Sequence, residues 1–108
     1  ARRLGDIPEA EVQAVYGAMG DKDIEGVAGA LAGMIDGWHL APLPGARGLA
    51  AGEVSKRISG IIPEDRIRAA PSVREALTSA REAAGEGGCV LVFGSFLTVS
   101  EALAVLES

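Results

Sequence analysis

Asp21, Lys22 and Asp23 form an acid-base-acid triplet directly ahead of a segment with helical periodicity. Backbone N–H groups at such a position lack intrahelical partners, so together with the Lys22 ammonium they suit an anion. The two carboxylates suit a substrate ammonium instead, and the same triplet also serves as ordinary helix capping. Arg47 follows Pro42-Leu43-Pro44-Gly45, a loop stiffened by two prolines. A guanidinium held there fits bidentate recognition of a carboxylate; the alternative is a solvated surface arginine. Ser95, in Gly94-Ser95-Phe96-Leu97-Thr98, is placed to donate to a ligand carboxylate, or else Ser95 and Thr98 are simple helix caps. A nucleophile elbow is not expected, because no glycine stands two residues after Ser95. His39 is the single histidine and has no evident metal-ligand or catalytic partner, so a structural role is expected.

Each of the three turns follows a hydrophobic strand. Residues 11–16 read as the first strand, and Asp21 is expected to cap a helix reaching about Ile35, with Ile24, Val27, Leu31, Met34 and Ile35 as its apolar stripe. Gly26, Gly29 and Gly33 in that helix are read as allowing close approach to the sheet, since they lie inside the helix and not in a dinucleotide-binding turn. Residues 38–41 form a second short strand and 50–58 a second helix. A connector over 61–66 leads to a short third strand at 67–70. Ser72 caps the next helix, and Gly85 to Gly88 close it. Residues 89–93, Cys-Val-Leu-Val-Phe, are uniformly apolar, the pattern of a central strand covered on both faces. Thr98 or Ser100 then starts a last helix ending at Leu106. This βαβαβαβα order predicts an α/β fold, a Rossmann-like open, mainly parallel sheet with helices on both faces, in one domain over residues 1–108. In such sheets the ligand crevice lies outside the carboxyl ends of the strands, which is where the three turns fall.

With 48% hydrophobic and 23% charged residues in 108, the chain has a globular balance and the size of one domain, able to bury about 65% of its unfolded surface. A net charge of −5 argues against a nucleic-acid partner, which wants a clustered basic face. The single cysteine, Cys89, rules out an internal disulfide and reads as a buried thiol in a reducing compartment, with the cytoplasm expected. No apolar run approaches the length that crosses a bilayer. Ala1-Arg2-Arg3-Leu4-Gly5 reads like the last turn of a helix closed by glycine, so a fragment of a longer polypeptide is expected. Two basic groups, a hydroxyl and helix starts on one sheet edge make a receptor for a small anionic or zwitterionic molecule.

Three blocks in register carry a resemblance. Residues 18–27 (AMGDKDIEGV), 38–47 (WHLAPLPGAR) and 93–103 (FGSFLTVSEAL) resemble the C-terminal domain of the bifunctional dihydrofolate synthase/folylpolyglutamate synthase family, which itself resembles the Mur ligases. The likeness runs from Val12 onward. It implies a Rossmann-like C-terminal domain paired with an N-terminal P-loop ATPase domain of the same polypeptide. The implied reaction uses ATP and Mg2+ in the full-length enzyme to activate a folate carboxylate as an acyl phosphate, which the amine of L-glutamate attacks. By this resemblance Asp21, Lys22 and Asp23 match an Asp-Lys-Asp turn and Ser95 a Gly-Ser-Phe turn. Lys22 would face the α-carboxylate or the transferred phosphate, and Arg47 the amino-acid carboxylate. The family's Walker lysine, magnesium ligands and His-Asn-Pro turn lie upstream of the matching segment, so no catalytic or metal-binding residue is assigned here and the fragment is expected to bind no cofactor and to be inactive alone. Two other readings stand beside this one: a stand-alone α/β binding or signalling module, and the corresponding domain of a Mur-type peptidoglycan ligase.

Overall fold

The computed structural model describes residues 11–18, 23–43, 48–94 and 96–107, with backbone alone at 96, 97, 101, 105 and 107. Four strands, β1 (Val12–Tyr16), β2 (Gly37–Leu40), β3 (Ile67–Ala69) and β4 (Cys89–Phe93), alternate with four helices, α1 (Ile24–Leu31), α2 (Ala51–Ile58), α3 (Val73–Ala84) and α4 (Phe96–Glu107). Among the described residues the three strand pairings are parallel, and the strand order is β3-β2-β1-β4. The predicted fold class is therefore the observed one.

Strand alternation sorts the core into two layers. Val12, Ala14 and Tyr16 of β1 join Trp38 and Leu40 of β2 on one face, under Ile24 and Ala28 of α1 and Ala51, Val54 and Ile58 of α2. Val15 faces the other way and packs with Val73, Ala76, Leu77 and Ala80 of α3 and Ala102 of α4. The two helices bearing charged outer faces are short amphipathic pieces stabilised mainly by this burial. On α3, the Ser72 hydroxyl accepts from Glu75 N at 3.1 Å, and Gly85, at φ +69°, ends it, as the sequence predicts.

Four expectations need correction. Asp23, not Asp21, is the observed cap of α1, and the helix stops at Leu31 in a series of turns short of Ile35. Gly29 and Gly33 are exposed and no atom of the described residues lies within 4 Å of a Cβ built on either, so they mark no close approach to the sheet. At Gly26 the crowding atoms belong to the Asp23 carboxylate, so that glycine admits the cap. β4 is the edge of the described sheet and its five residues, Cys89 included, are half-buried; an apolar run reports low polarity, not the number of covered faces. Finally, α4 begins at Phe96, which puts Thr98 inside the helix, fully buried.

Candidate functional site

The chain adds strands on both sides of β1. β2 and β3 lie to one side, and the crossover through α3 returns to set β4 on the other. α1, leaving β1, packs on one face of the sheet, whereas α4, leaving β4, packs on the opposite face. Helices diverging from adjacent parallel strands open a crevice at the strand carboxyl ends, the topological switch point of an open α/β sheet. Here it lies between the exits of β1 and β4.

Backbone contact sets its geometry. A Cβ on Gly94, whose φ is +117°, would collide with the Gly17 carbonyl oxygen and lie 2.9 Å from Tyr16 Cδ1. Only glycine tolerates both the dihedral and the approach. A Cβ on Gly17 would lie 2.7 Å from Thr98 Oγ1 and 3.2 Å from the Ala41 carbonyl oxygen. Ala41 N donates to Tyr16 O at 2.9 Å, Leu49 N to Ala18 O at 3.2 Å, and Leu43 N to Leu49 O at 3.1 Å. The exits of β1, β2 and β4 are thus knitted into one rim, and Leu43 and Leu49 close the base of the segment that carries Arg47.

Asp23 stands at this rim, exposed, with Oδ1 accepting from Gly26 N at 3.1 Å. Its charge reaches inward: burial, then the Asp23 and Glu25 carboxylates, push the Tyr16 phenol above its ordinary pKa. Tyr16 ends β1 on an aromatic floor, its ring centroid 4.9 Å from Phe93 and 5.8 Å from Trp38. Asp21, Lys22, Arg47 and Ser95 lie outside the described residues. The residues bounding their segments, Ala18, Leu43 and Gly94 among them, are those that meet at the rim.

His39 is structural, in agreement with the sequence reading. It is 2% exposed, and its Nε2 lies 2.7 Å from Gln13 Oε1, so with the amide oxygen as acceptor Nε2 carries the proton. Burial and then the charge of Arg68 hold its pKa below the ordinary value. A hollow of about 660 Å3 is remote from the crevice: Leu77, Val90, Val92 and Leu106 line it toward the strand-entry end, beside Gly85 and Gly88.

Sequence reasoning missed Gly17, Gly94 and Thr98 as rim residues. Two of them had a legible signal, a glycine directly after the last strand residue in Tyr16-Gly17 and Phe93-Gly94. Thr98 had none, because its burial depends on how α4 lies over the exits of β1 and β2.

The family described as Mur ligase, glutamate ligase domain, matches residues 1–96. The chain belongs to this family. It is similar to the dihydrofolate synthase/folylpolyglutamate synthase of Haemophilus influenzae, 37% identical over 99 residues, which are 92% of this chain and 23% of that protein. Among solved structures, Escherichia coli FolC in complex with DHPP and ADP superposes with a TM-score of 0.82 at 33% identity over 96% of this chain and 23% of its own. A bifunctional folylpolyglutamate synthase/dihydrofolate synthase with Mn, AMPPNP and L-glutamate bound gives 0.80 at 34% identity, covering 93% of this chain and 23% of its own. The chain thus spans about a quarter of the length of these relatives. Among the described residues no helix is long and apolar enough to cross a membrane.

Proposed function

We propose that this chain is the C-terminal domain of a cytoplasmic ATP-dependent ligase that adds L-glutamate to dihydropteroate or folates, and that it binds the incoming glutamate and closes over the nucleotide. The observation that carries the reading is the switch-point crevice, whose rim draws together the ends of the three segments bearing Asp21, Lys22 and Asp23, Arg47, and Ser95. A family member with L-glutamate bound supports the choice of ligand. In the proposed reaction a folate carboxylate oxygen attacks the γ-phosphorus of ATP and ADP leaves. The glutamate amine then attacks the acyl carbon, phosphate departs and an amide forms.

Within that scheme Lys22 and Arg47 neutralise the carboxylates of glutamate or the transferred phosphate, Ser95 donates a hydrogen bond to a carboxylate, and Asp21 receives the ammonium. Asp23 fixes the start of α1 beside them. ATP and Mg2+ are left to the partner we propose, an N-terminal P-loop ATPase domain of the same polypeptide. When bound, the nucleotide and metal supply the phosphoryl group and its charge neutralisation.

Steady-state kinetics on the full-length parent test this. Lys22→Ala is expected to raise KM for glutamate by about tenfold or more with the folate KM little changed, as expected for loss of one charged contact to the amino acid. Residues 1–108 alone are expected to show no ligation. A parent that ligates another amino acid onto a peptidoglycan precursor, or a measurable ligase rate from the isolated chain, overturns the proposal.

A further inference from the structure

We propose that Thr98 is a positioning residue for the glutamate-binding rim: its buried hydroxyl ties the exits of β1 and β2 to the start of α4, and so sets the spacing of the segments that carry Lys22, Arg47 and Ser95. This rests on the reading of the crevice as a glutamate site, since the benefit of fixing that spacing is substrate geometry.

Thr98 has 0% exposure in the first turn of α4. Valine has nearly the same shape and would fill the space without burying a hydroxyl, which costs free energy unless it is bonded. A polar atom at that place therefore has a task there. Its surroundings say which one. The Cβ position of Gly17 is 2.7 Å from Thr98 Oγ1, 3.8 Å from Thr98 Cβ and 3.2 Å from the Ala41 carbonyl oxygen. Thr98 thus packs against Gly17, where β1 gives way to the segment leading to Asp23 and where the carbonyl of Ala41, the first residue after β2, also approaches. On the other side of Gly17 stands Gly94, close enough that any side chain would strike the Gly17 carbonyl oxygen. The exits of β1, β2 and β4 thus meet around Gly17, and Thr98 is the side chain packed against it. Because α4 begins two residues before it, the same residue fixes where the helix N-terminus starts relative to both neighbouring exits. Displacements of about 1 Å at such a site are enough to change substrate affinity or rate by orders of magnitude.

The test uses the full-length parent with Thr98→Val, which keeps the shape and removes the hydroxyl, and Thr98→Ser, which keeps the hydroxyl. Thr98→Val is expected to raise KM for glutamate about tenfold while KM for ATP stays within about twofold, and Thr98→Ser to return the glutamate KM to within about threefold of the parent. Hydrogen exchange by mass spectrometry is read in parallel. The valine variant is expected to exchange faster in peptides covering residues 17–24 and 41–50, with α3 unchanged. Serine and valine variants equally impaired, all substrate KM values rising together, or unchanged exchange in those peptides would each overturn the assignment. Should the wild-type parent show no glutamate-dependent activity, the glutamate reading falls, and the exchange measurement alone decides whether Thr98 orders the rim.

Discussion

Gly37→Ala tests the buried polar contact that sets β2 against β1. Replacing glycine by alanine inside a strand ordinarily gains about 0.5–1 kcal/mol through backbone entropy. Here the added Cβ would collide with Gln13 Oε1 and lie 2.9 Å from Gln13 Cδ and 3.1 Å from Nε2. Gln13 is register partner to Gly37 and 5% exposed, so its amide must turn away from His39, into the polar hollow of about 200 Å3 that Gln13, Gly37, His39 and Arg68 line. The 2.7 Å contact to His39 Nε2 is then lost and that buried nitrogen goes unsatisfied, at about 1–3 kcal/mol. Less the backbone gain, the expected net loss is about 1 kcal/mol. Urea unfolding reports it directly, because Trp38, the single tryptophan, is fully buried beside the substituted residue. In a Gln13→Ala background the collision has no partner, and Gly37→Ala is expected to stabilise by the backbone gain alone, about 0.5–1 kcal/mol. An equal cost in both backgrounds would refute the reasoning and place the strain in the β2 backbone.

The same pair predicts a pH dependence. With the folded pKa of His39 depressed below its ordinary 6.5, the unfolded chain binds the extra proton first; stability is full above 6.5 and falls as pH drops below it, by up to about 1.4 kcal/mol per pH unit. Denaturation midpoints from pH 8 to pH 5 should show this slope, and His39→Gln should remove it. Gly94→Ala meets both a φ of +117° and the Gly17 carbonyl oxygen, so a loss of at least about 3 kcal/mol is expected in thermal melts, against a gain of up to about 1 kcal/mol for Gly52→Ala on the exposed side of α2, where helix propensity favours alanine. Ser72→Ala removes the 3.1 Å cap on Glu75 N and should cost about 1 kcal/mol, recovered in part by Ser72→Asp.

Much of the secondary structure is legible in the sequence because each element carries a local signal. The Ser72 cap and Gly85 stop bound α3, and the helical spacing of Val73, Ala76, Leu77 and Ala80 foretells the face that is buried. The alternation of Ile24, Val27, Leu31 and the later Met34 and Ile35 is equally regular, yet the helix ends at Leu31. Period alone does not count the cost of Gly33, nor the turn whose Asp36 carboxylate accepts from Val12 N at 2.7 Å. The candidate site was legible as three turns after three strands. Which turns adjoin was not, since adjacency depends on strand order.

What the sequence determines by itself, then, is the alternation of strand and helix, the polar turns and the three blocks that carry the family resemblance, because these follow from residues close together along the chain. The tertiary structure alone decides that β4 returns to the far side of β1, that α1 and α4 part at that junction, and that Gly17, Gly94 and Thr98 press three strand exits into one rim. Those outcomes depend on contacts between residues some 80 positions apart, such as Gly17 with Thr98, for which no local propensity exists and whose closure entropy is offset only when the whole sheet is formed.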